Sequence, residues 1–352
     1  MQILSKKNLF FQYFIVILHK ISMNKEYFYS QLASWYETHH RILPWRETQN
    51  PYCIWISEII LQQTRVDQGM DYYLRFIERF PNLASLAAAQ EDEVLRLWQG
   101  LGYYSRARNI YKAAHQVNEM PRTYEGLRQM AGIGDYTAGA IASFAYNLPH
   151  PALDGNVYRV LARLTDCEMA FDTSAGKKHF HQVAEELLDR EHPRLFNSAI
   201  MEFGALYCVP QHPDCEHCPL QIFCEAYRHN TVDLLPVRKP RPKIRDRYLI
   251  YTIYLSDNQT LIHQRQGNDI WRHLWEFPLE EVDESRFEQK HKRHGIVLTH
   301  QLSHQRLHAI FTLKQVPQLP TLPGTCVVRL GDLDDYAFSR LTLRALEQLL
   351  PH

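Results

Sequence analysis

The stretch Cys208–Cys224 is CVPQHPDCEHCPLQIFC, and its four cysteines follow the spacing C-x6-C-x2-C-x5-C. Thiolates this close in sequence can converge on one metal centre with a short loop between ligands. Ligand chemistry alone leaves a zinc ion and an iron–sulfur cluster equally open. The remaining cysteines stand alone, which favours a reducing cytoplasm over a secreted, disulfide-bonded chain. The sequence therefore predicts a metal centre whose ligands are Cys208, Cys215, Cys218 and Cys224.

The composition is that of a globular chain. It has 352 residues, 45% of them hydrophobic, and its 39 basic and 39 acidic residues cancel. This neutral balance gives no support to nucleic-acid binding and slightly opposes a binder that depends on overall positive charge, so any DNA contact must come from local patches. The apolar run Leu9–Leu18 is too short for a membrane span and lacks a cleavage site, and an amphipathic helix begins just after Met23. We expect residues 1–23 to be a non-native or disordered extension and the protein not to enter a membrane.

The pattern of apolar residues changes once along the chain. From Tyr27 to Ala226 it follows helical spacing, interrupted by glycines and prolines that predict many short helices. The run Pro236–Lys243 is PVRKPRPK, which predicts a stiff, basic linker. After it come β-rich runs at Tyr248–Leu255, Thr260–Gln264 and Ala309–Val316, and a final helix at Arg340–Leu350. The sequence thus predicts an all-α domain at 24–232, a linker at 233–247 and an α+β domain at 248–352.

A glycine turn lies in the helical part, where residues 130–139 are MAGIGDYTAG. Gly132 and Gly134 allow backbone amides to approach a phosphate closely just before a helix begins. By itself, such a turn is also typical of an ordinary connection between two helices.

Two carboxylates lie at positions suited to acid–base chemistry. Glu58 interrupts the apolar run WISEIILQQT, where burial would raise the pKa of its carboxyl. Asp154, in LDGNV, precedes a helix whose positive end would favour its charged form, although Asn156 could cap that helix instead. On residue type alone, Glu58 could equally be a solvated helix residue and Asp154 a capping residue.

Taken together with NSAIMEFGA at 197–205, these motifs resemble the endonuclease III and MutY superfamily of helix-hairpin-helix DNA glycosylases. The resemblance implies a [4Fe-4S] cluster on the four cysteines and a hairpin that holds the DNA backbone without selecting a sequence. One departure lies between the first two cysteines. Residues 209–214 contain no lysine or arginine, and His212 is their only basic side chain. In the family, this loop presents basic residues to DNA phosphates.

The resemblance also implies roles for the carboxylates. Glu58 would protonate the adenine and then help to activate water, while Asp154 would stabilise the sugar cation directly or through a transient covalent adduct. Tyr136 stands where the lyase branch carries its Schiff-base lysine. We therefore expect a monofunctional glycosylase in which Tyr136 and Asn156 support Asp154 through hydrogen bonds.

Base excision requires that the adenine be flipped out of the duplex and held in a pocket. By resemblance, one set of residues fills the gap near the partner base: Gln62, Gln63, Thr64, Leu101 and Tyr103. A second set lines the adenine pocket: Arg41, Trp45 and Glu202. Without the resemblance, core packing would be the simpler interpretation of Trp45 and Tyr103.

The C-terminal part resembles a Nudix-like domain through residues 261–265 and 270–278, LIHQR and IWRHLWEFP. It lacks the glycine-led acidic helix of Nudix hydrolases, so we do not expect it to hydrolyse nucleotides. A Phe-Ser-His loop of this domain touches 8-oxoguanine in the family. The matching position here is Leu302-Ser303-His304, which keeps the hydrogen-bonding groups but not the aromatic ring.

The resulting prediction is a multidomain, monomeric bacterial protein of the cytoplasm and nucleoid. It would act in base-excision repair on duplex DNA by removing adenine opposite 8-oxoguanine or guanine. Two alternatives stay open from the sequence: an endonuclease III-like pyrimidine glycosylase and lyase, and a non-catalytic iron–sulfur DNA-binding protein.

Overall fold

A computed structural model describes residues 24–240, 243–291 and 295–350, so the predicted extension at residues 1–23 lies outside the described part. The chain divides into two compact units. The first consists of Met1–Gln62 and Gln116–Pro240, and the second of Gln63–His115 and Arg241–His352. The first unit thus ends inside the predicted linker at 233–247, whereas residues 63–115 group with the C-terminal part of the chain.

The first unit is helical throughout its described residues, as the apolar spacing predicts. Its helices are α1 (Lys25–His39), α2 (Pro51–Ile60), α7 (Tyr124–Arg128), α8 (Asp135–Tyr146), α9 (Gly155–Leu164), α10 (Ser174–Leu187), α11 (Pro193–Leu206) and α12 (Glu225–His229). Short 3₁₀ turns lie at Gln221–Phe223 and Val232–Leu234.

Helix α11 lies at the centre of this unit, where it contacts α1, α8 and α9. The core around it is built from large apolar side chains that are almost completely shielded from water, among them Phe28, Phe180, Phe203 and Phe223. Burying such side chains is the main favourable contribution to folding, at roughly 1.5–3 kcal/mol each. Helix α2 packs against α8. Two elements that carry predicted site residues are therefore held side by side.

The second unit combines helices with two sheets. The helices are α3 (Val66–Arg79), α4 (Leu83–Ala87), α5 (Glu91–Leu97), α6 (Ser105–Ala114), α13 (Glu284–His291) and α14 (Arg340–Leu349). The strands are β1 (Arg245–Leu255), β2 (Gln259–Gln264), β3 (Trp275–Glu276), β4 (Leu279–Val282), β5 (Ile296–Gln301), β6 (Gln305–Gln315) and β7 (Cys326–Arg329), followed by a 3₁₀ turn at Leu330–Asp335.

The larger sheet has the strand order β4-β1-β6-β5, and the smaller one has the order β3-β2-β7. β1 and β6 are parallel and in register from Arg245 opposite Gln305 to Leu255 opposite Gln315, whereas the other pairs are antiparallel. Their central residues, such as Ile250 and Phe311, are buried. The predicted α+β class is confirmed, and so are the three strand segments and the final helix, to within a few residues at each end.

Within the described ranges, no helix combines the length and apolar character needed to cross a membrane.

Candidate active site

Glu58 lies in helix α2, which begins where the Asn50 side chain accepts a hydrogen bond from the backbone N–H of Tyr52 and Pro51 takes the first helical position. Because α2 is buried along most of its length, the Glu58 side chain is only 8% exposed. Tyr136 donates its hydroxyl to Glu58 Oε2 at 2.5 Å. The carboxyl predicted to be the acid is therefore buried and has a specific partner.

Burial, more than any neighbouring charge, raises the pKa of Glu58 to about 7. The hydrogen bond from Tyr136 and the positive charge of Arg46 lower the pKa, while the Asp154 carboxylate raises it. A carboxyl with a pKa near 7 is protonated in about half of the molecules at neutral pH. Such a group can both donate and accept a proton under physiological conditions.

Asp154 is the N-cap of helix α9. Its Oδ1 accepts the backbone N–H of Val157 at 2.8 Å, and its Oδ2 accepts the side-chain amide of Asn156 at 2.8 Å. Asp154 itself, and not Asn156, is therefore the cap, while Asn156 supports it as expected. Burial still raises the pKa of Asp154, because it outweighs the hydrogen bonds that lower the pKa. The expectation that Asp154 favours its charged form is therefore wrong for the net pKa, because burial outweighs the hydrogen bonds at the helix start.

Tyr136 is the second residue of helix α8, which follows the predicted glycine turn. Burial, and then the charges of Glu58 and Asp154, raise the pKa of Tyr136 well above its usual value. The tyrosine is therefore a neutral hydrogen-bond donor close to both carboxyls. Its contact is with Glu58, not with Asp154 as the sequence analysis expects; burial of α2 brings Glu58 Oε2 to the hydroxyl.

The glycine turn itself has the conformation that a close backbone approach requires. Gly132 has φ of +77°, a region that side chains with a Cβ adopt rarely, and both Gly132 and Gly134 are exposed. Arg128 fixes the turn by donating to the carbonyl of Ile133 at 2.8 Å. Gly134 caps helix α8 without a side chain, so the first amides of that helix are accessible to an anion.

Glu202, from helix α11, is completely buried and binds two arginines. Arg41 donates from Nε to Oε1 at 2.7 Å and from Nη2 to Oε2 at 2.8 Å, and Arg46 donates from Nη2 to Oε2 at 2.7 Å. Although burial raises the pKa of Glu202, these hydrogen bonds lower it to about 2. Arg41 and Glu202 were both predicted to line the base pocket, and the fold brings them into direct contact.

Arg46 was missed by the sequence analysis. Its positive charge lowers the pKa of both Glu58 and Tyr136, and its Nη2 binds Glu202, so the same arginine acts on both groups of side chains. The Nη1 atom of Arg46 is buried and has no hydrogen-bond partner within the described part of the chain. A buried donor left unpaired is costly, which favours a bound ligand as its partner. The available signal was the second arginine of the segment RILPWR at 41–46.

Trp45 and Gln62 belong to the same unit as these residues. Trp45 is buried at 7% exposure, and Gln62 donates from Nε2 to the Thr137 hydroxyl at 3.3 Å. Thr137 directly follows Tyr136 in helix α8, so Gln62 contacts the same helix start that carries Tyr136.

The other predicted DNA-contact residues lie in the second unit. Leu101 is buried, whereas Tyr103 is 45% exposed and has φ of +48°. Gln63 also has positive φ, and Thr64 follows it. Ser303 and His304 are exposed in the turn between β5 and β6, where the hydroxyl and His304 Nδ1 are 3.2 Å apart. Leu302 shapes this turn by donating its N–H to the carbonyl of Gln305.

The four predicted metal ligands share one segment of the first unit. Burial, and then the charges of Cys208, Cys224 and Cys215, raise the pKa of Cys218 to about 12, which indicates that the four thiols are neighbours. Across the described ranges, however, no group of three or more His, Cys, Asp or Glu side chains is arranged to hold a metal ion. The predicted cluster therefore stays a prediction.

Two buried arginines of helix α9, also missed by the sequence analysis, bind this segment, and Arg159 also contacts Asn156, the partner of Asp154. Arg163 donates to Cys208 Sγ at 3.3 Å and to the Val209 carbonyl at 2.8 Å. Arg159 donates to the Cys208 carbonyl at 2.8 Å and to Asn156 Oδ1 at 3.0 Å. Gly204 permits this arrangement, because a Cβ there would lie 2.8 Å from the Asn156 carbonyl oxygen.

Two family models match the chain. Residues 56–188 match the HhH-GPD superfamily base excision DNA repair protein, and residues 250–348 match the NUDIX domain.

Among curated proteins, the adenine DNA glycosylase of Buchnera aphidicola subsp. Baizongia pistaciae is 38% identical over 260 residues, which cover 71% of this chain and 73% of that protein. That of Buchnera aphidicola subsp. Schizaphis graminum is 35% identical and covers 81% of this chain and 86% of its own length. The adenine DNA glycosylase of Mus musculus is 42% identical over 62% of this chain, which spans 45% of the mouse protein.

Solved structures are also similar to part of this chain. A thermostable thymine-DNA glycosylase matches with a TM-score of 0.53 and 26% identity over 59% of this chain and 99% of its own. A non-covalent endonuclease III–DNA complex matches with a TM-score of 0.51 and 24% identity over 59% of this chain and 97% of its own. At that identity, the second likeness concerns the fold alone.

Proposed function

Because this chain belongs to the adenine DNA glycosylase family of base-excision repair, we propose that Glu58 and Asp154 hydrolyse the N-glycosidic bond of a mispaired adenine. The substrate is adenine opposite 8-oxoguanine or guanine in duplex DNA. The products are free adenine and an abasic site, and the DNA strand stays intact. The enzyme acts as a monomer.

The observation that carries this proposal is the pKa of Glu58, which burial raises to about 7. Adenine is a poor leaving group unless a ring nitrogen is protonated, and a buried neutral carboxyl can supply that proton. Once ionised, the same carboxylate accepts a proton from the attacking water. Tyr136 stabilises this ionised form, since its hydroxyl donates to Glu58 Oε2.

Asp154 is suited to stabilising the oxocarbenium-like sugar that forms as the base leaves. Two donors, the Val157 N–H and the Asn156 amide, hold its oxygens and oppose protonation. Although burial raises the pKa of Asp154, these two hydrogen bonds favour the ionised form, which carries the negative charge that the sugar cation requires. This division of roles between two carboxyls in different surroundings is a recurrent design of acid–base sites.

Tyr136 supports a monofunctional enzyme, which removes the base without cleaving the DNA strand. Strand cleavage by a lyase proceeds through an amine that forms a Schiff base with the sugar. Tyr136 supplies a phenol with a pKa far above its usual value, which cannot form that adduct. The sugar is therefore attacked by water, and cleavage of the strand requires a separate treatment.

The Glu202 cluster is suited to binding the extruded adenine. Adenine presents an exocyclic amino donor and several ring-nitrogen acceptors. Glu202 stays ionised because Arg41 and Arg46 lower its pKa to about 2, and its two oxygens already accept four hydrogen bonds from these arginines, so it positions the arginines for the base. Arg46 Nη1 is a buried donor without a partner in the described chain, and a ring nitrogen would satisfy it.

Ser303 and His304 are proposed to contact the base opposite adenine. Both are exposed on the β5–β6 turn and carry groups that can hydrogen-bond an oxidised purine. Leu302 gives that contact less flat surface than an aromatic ring would.

The four cysteines are proposed to hold a [4Fe-4S] cluster, with a zinc ion as the alternative. The all-sulfur donor set fits either, and the buried Arg163 guanidinium, 3.3 Å from Cys208 Sγ, favours a thiolate there. When bound, the cluster would cross-link residues 208–224 to one another. Visible charge-transfer absorption of the purified protein would distinguish iron–sulfur from zinc.

The decisive experiment uses a duplex with one adenine opposite 8-oxoguanine, incubated with the protein and analysed with and without hot alkali. We expect free adenine and strand breakage only after alkali. Absence of adenine release would overturn the proposal and favour a non-catalytic binding protein. Breakage without alkali would indicate an endonuclease III-like lyase. A second duplex with guanine opposite adenine compares the two partner bases directly.

A further inference from the structure

We propose that Arg238 and Lys239 bind backbone phosphates of the DNA substrate. Both residues are exposed, and they belong to the basic, proline-rich run that the sequence analysis assigned only to a linker. The inference rests on the proposed function in that the bound DNA is the substrate duplex.

These two residues are fixed to the body of the first unit. The Val237 carbonyl accepts the N–H of Phe171 at 3.2 Å, and the Lys239 N–H donates to Asp172 Oδ1 at 2.9 Å. The Arg238 guanidinium lies over the Phe171 ring, 5.0 Å from its centroid. A cation held in this way loses less conformational freedom on binding a ligand than one on a free linker.

The same anchoring leaves the two cationic groups available. Neither Arg238 nor Lys239 forms an ion pair among the residues that the structure describes. The one carboxylate in contact, Asp172, is engaged by a backbone N–H and not by the Lys239 ammonium. Two adjacent, exposed and unneutralised cations are the usual means of binding phosphates without base specificity.

The position of this basic pair relates it to the reaction site. The Phe171 ring stacks on Tyr158, with centroids 4.9 Å apart. Tyr158 lies in the first turn of helix α9, and its N–H donates to the carbonyl of Asp154. Burial, and then the charge of Asp135 in the first turn of α8, raise the pKa of Tyr158.

The basic pair is thus connected through two stacked rings to the first turn of helix α9, which Asp154 caps. DNA that places a sugar at Asp154 and a phosphate at the turn has further phosphates along the same strand. The loop at residues 209–214 supplies no lysine or arginine for them. Arg238 and Lys239 supply positive charge in this part of the unit.

The test compares the variant Arg238→Glu/Lys239→Glu with wild type in binding to a fully matched duplex over 50 to 200 mM salt. Each phosphate contact contributes about 0.9 to the slope of log K against log salt concentration. Two lost contacts therefore make the slope less steep by about 1.8, so the fourfold salt increase weakens the variant about tenfold less than wild type. The preference for a mispaired over a matched duplex stays unchanged.

The matched control is Lys25→Glu/Arg190→Glu. It changes the net charge equally, but Lys25 donates to the Glu186 carbonyl in the last turn of α10, and Arg190 follows that helix. Since α10 has 14 residues, the control lies about 20 Å along the helix from Phe171. The control should keep the wild-type slope. If the slope changed equally in both variants, the effect would come from overall charge alone, and the inference would be overturned.

A charge-preserving variant, Arg238→Lys/Lys239→Arg, should keep the wild-type slope, and it protects the test against a folding defect in the glutamate variant. An unchanged slope in a folded glutamate variant overturns the inference. Adenine release by wild type, measured on the mispaired duplex in parallel, separates the two proposals. If wild type releases adenine while the slopes agree, only the phosphate assignment fails.

Discussion

Two glutamates of the first unit, Glu58 in α2 and Glu202 in α11, have the same side chain and nearly the same burial but opposite acidity. Glu58 is 8% exposed and Glu202 is completely buried. Burial raises the pKa of Glu58 to about 7, whereas the pKa of Glu202 is lowered to about 2 despite burial. The difference lies in their partners, since Glu58 accepts from a neutral phenol and Glu202 from two guanidiniums. Glu58 can therefore donate a proton near neutral pH, whereas its two arginine partners keep Glu202 ionised.

The substitution with the largest expected effect is Glu58→Gln, which removes the proton donor and keeps the shape of the side chain. We expect single-turnover release of adenine to fall by about 10²–10⁴-fold, as is typical of a lost general acid. Binding of the mispaired duplex should change little. Glu37→Gln, on the exposed face of α1, is the matched control. Loss of binding together with activity would instead mean that Glu58 is structural.

The corresponding change at the other glutamate, Glu202→Gln, should act first on stability. It leaves Arg41 and Arg46 without their buried counter-charge, and breaking such a pair typically costs about 3–5 kcal/mol. Urea denaturation should show this loss, while the exposed Glu191→Gln should be close to neutral. A stability unchanged by Glu202→Gln would show that the two arginines do not depend on this carboxylate.

The pH dependence of stability should also separate the two residues. The folded-state pKa of Glu58, about 7, lies above its ordinary value of 4.5, so its favourable contribution is complete below pH 4.5 and is lost as pH rises through 7. Wild type should therefore lose up to about 3 kcal/mol relative to Glu58→Gln between pH 4.5 and pH 8. Denaturation at a series of pH values measures this difference.

Glu202 should show the reverse dependence. Its folded-state pKa is about 2, so its contribution is present above pH 4.5 and is lost as pH falls through 2. The difference in stability between wild type and Glu202→Gln should accordingly be constant from pH 5 to pH 8. A difference that changed over this range would contradict the low pKa.

The smallest effect is expected for Tyr136→Phe. The Tyr136 hydroxyl lowers the pKa of Glu58, so its removal should raise that pKa further and move the decline of activity at alkaline pH to higher pH. We expect a shift of about one unit or less, since one hydrogen bond to a charged group contributes roughly 1.5–3 kcal/mol and is partly replaced. Tyr124→Phe, which removes a hydroxyl that donates to Asp135, is the control. A shift to lower pH would contradict the assigned hydrogen bond.

The sequence by itself determined most of the elements and supplied the candidate site residues. Helical spacing, the linker prolines and the β-rich runs predicted an all-α part followed by an α+β part, because the periodicity of apolar residues follows local geometry. The superfamily was predicted from the cysteine spacing, the glycine turn, Glu58 and Asp154. Metal binding, phosphate binding and acid–base catalysis each require particular residue types, so these motifs can be found in the sequence.

Only the tertiary structure decided which side chains meet. Tyr136 contacts Glu58, Arg46 joins Arg41 on Glu202, and Arg159 and Arg163 both bind Cys208. These contacts join residues 45 to 161 positions apart in the chain. The grouping of residues 63–115 with the C-terminal part and the parallel pairing of β1 with β6 are likewise long-range. Because pKa values depend on burial and on partners brought together by folding, two glutamates that look alike in the sequence became an acid and a fixed anion.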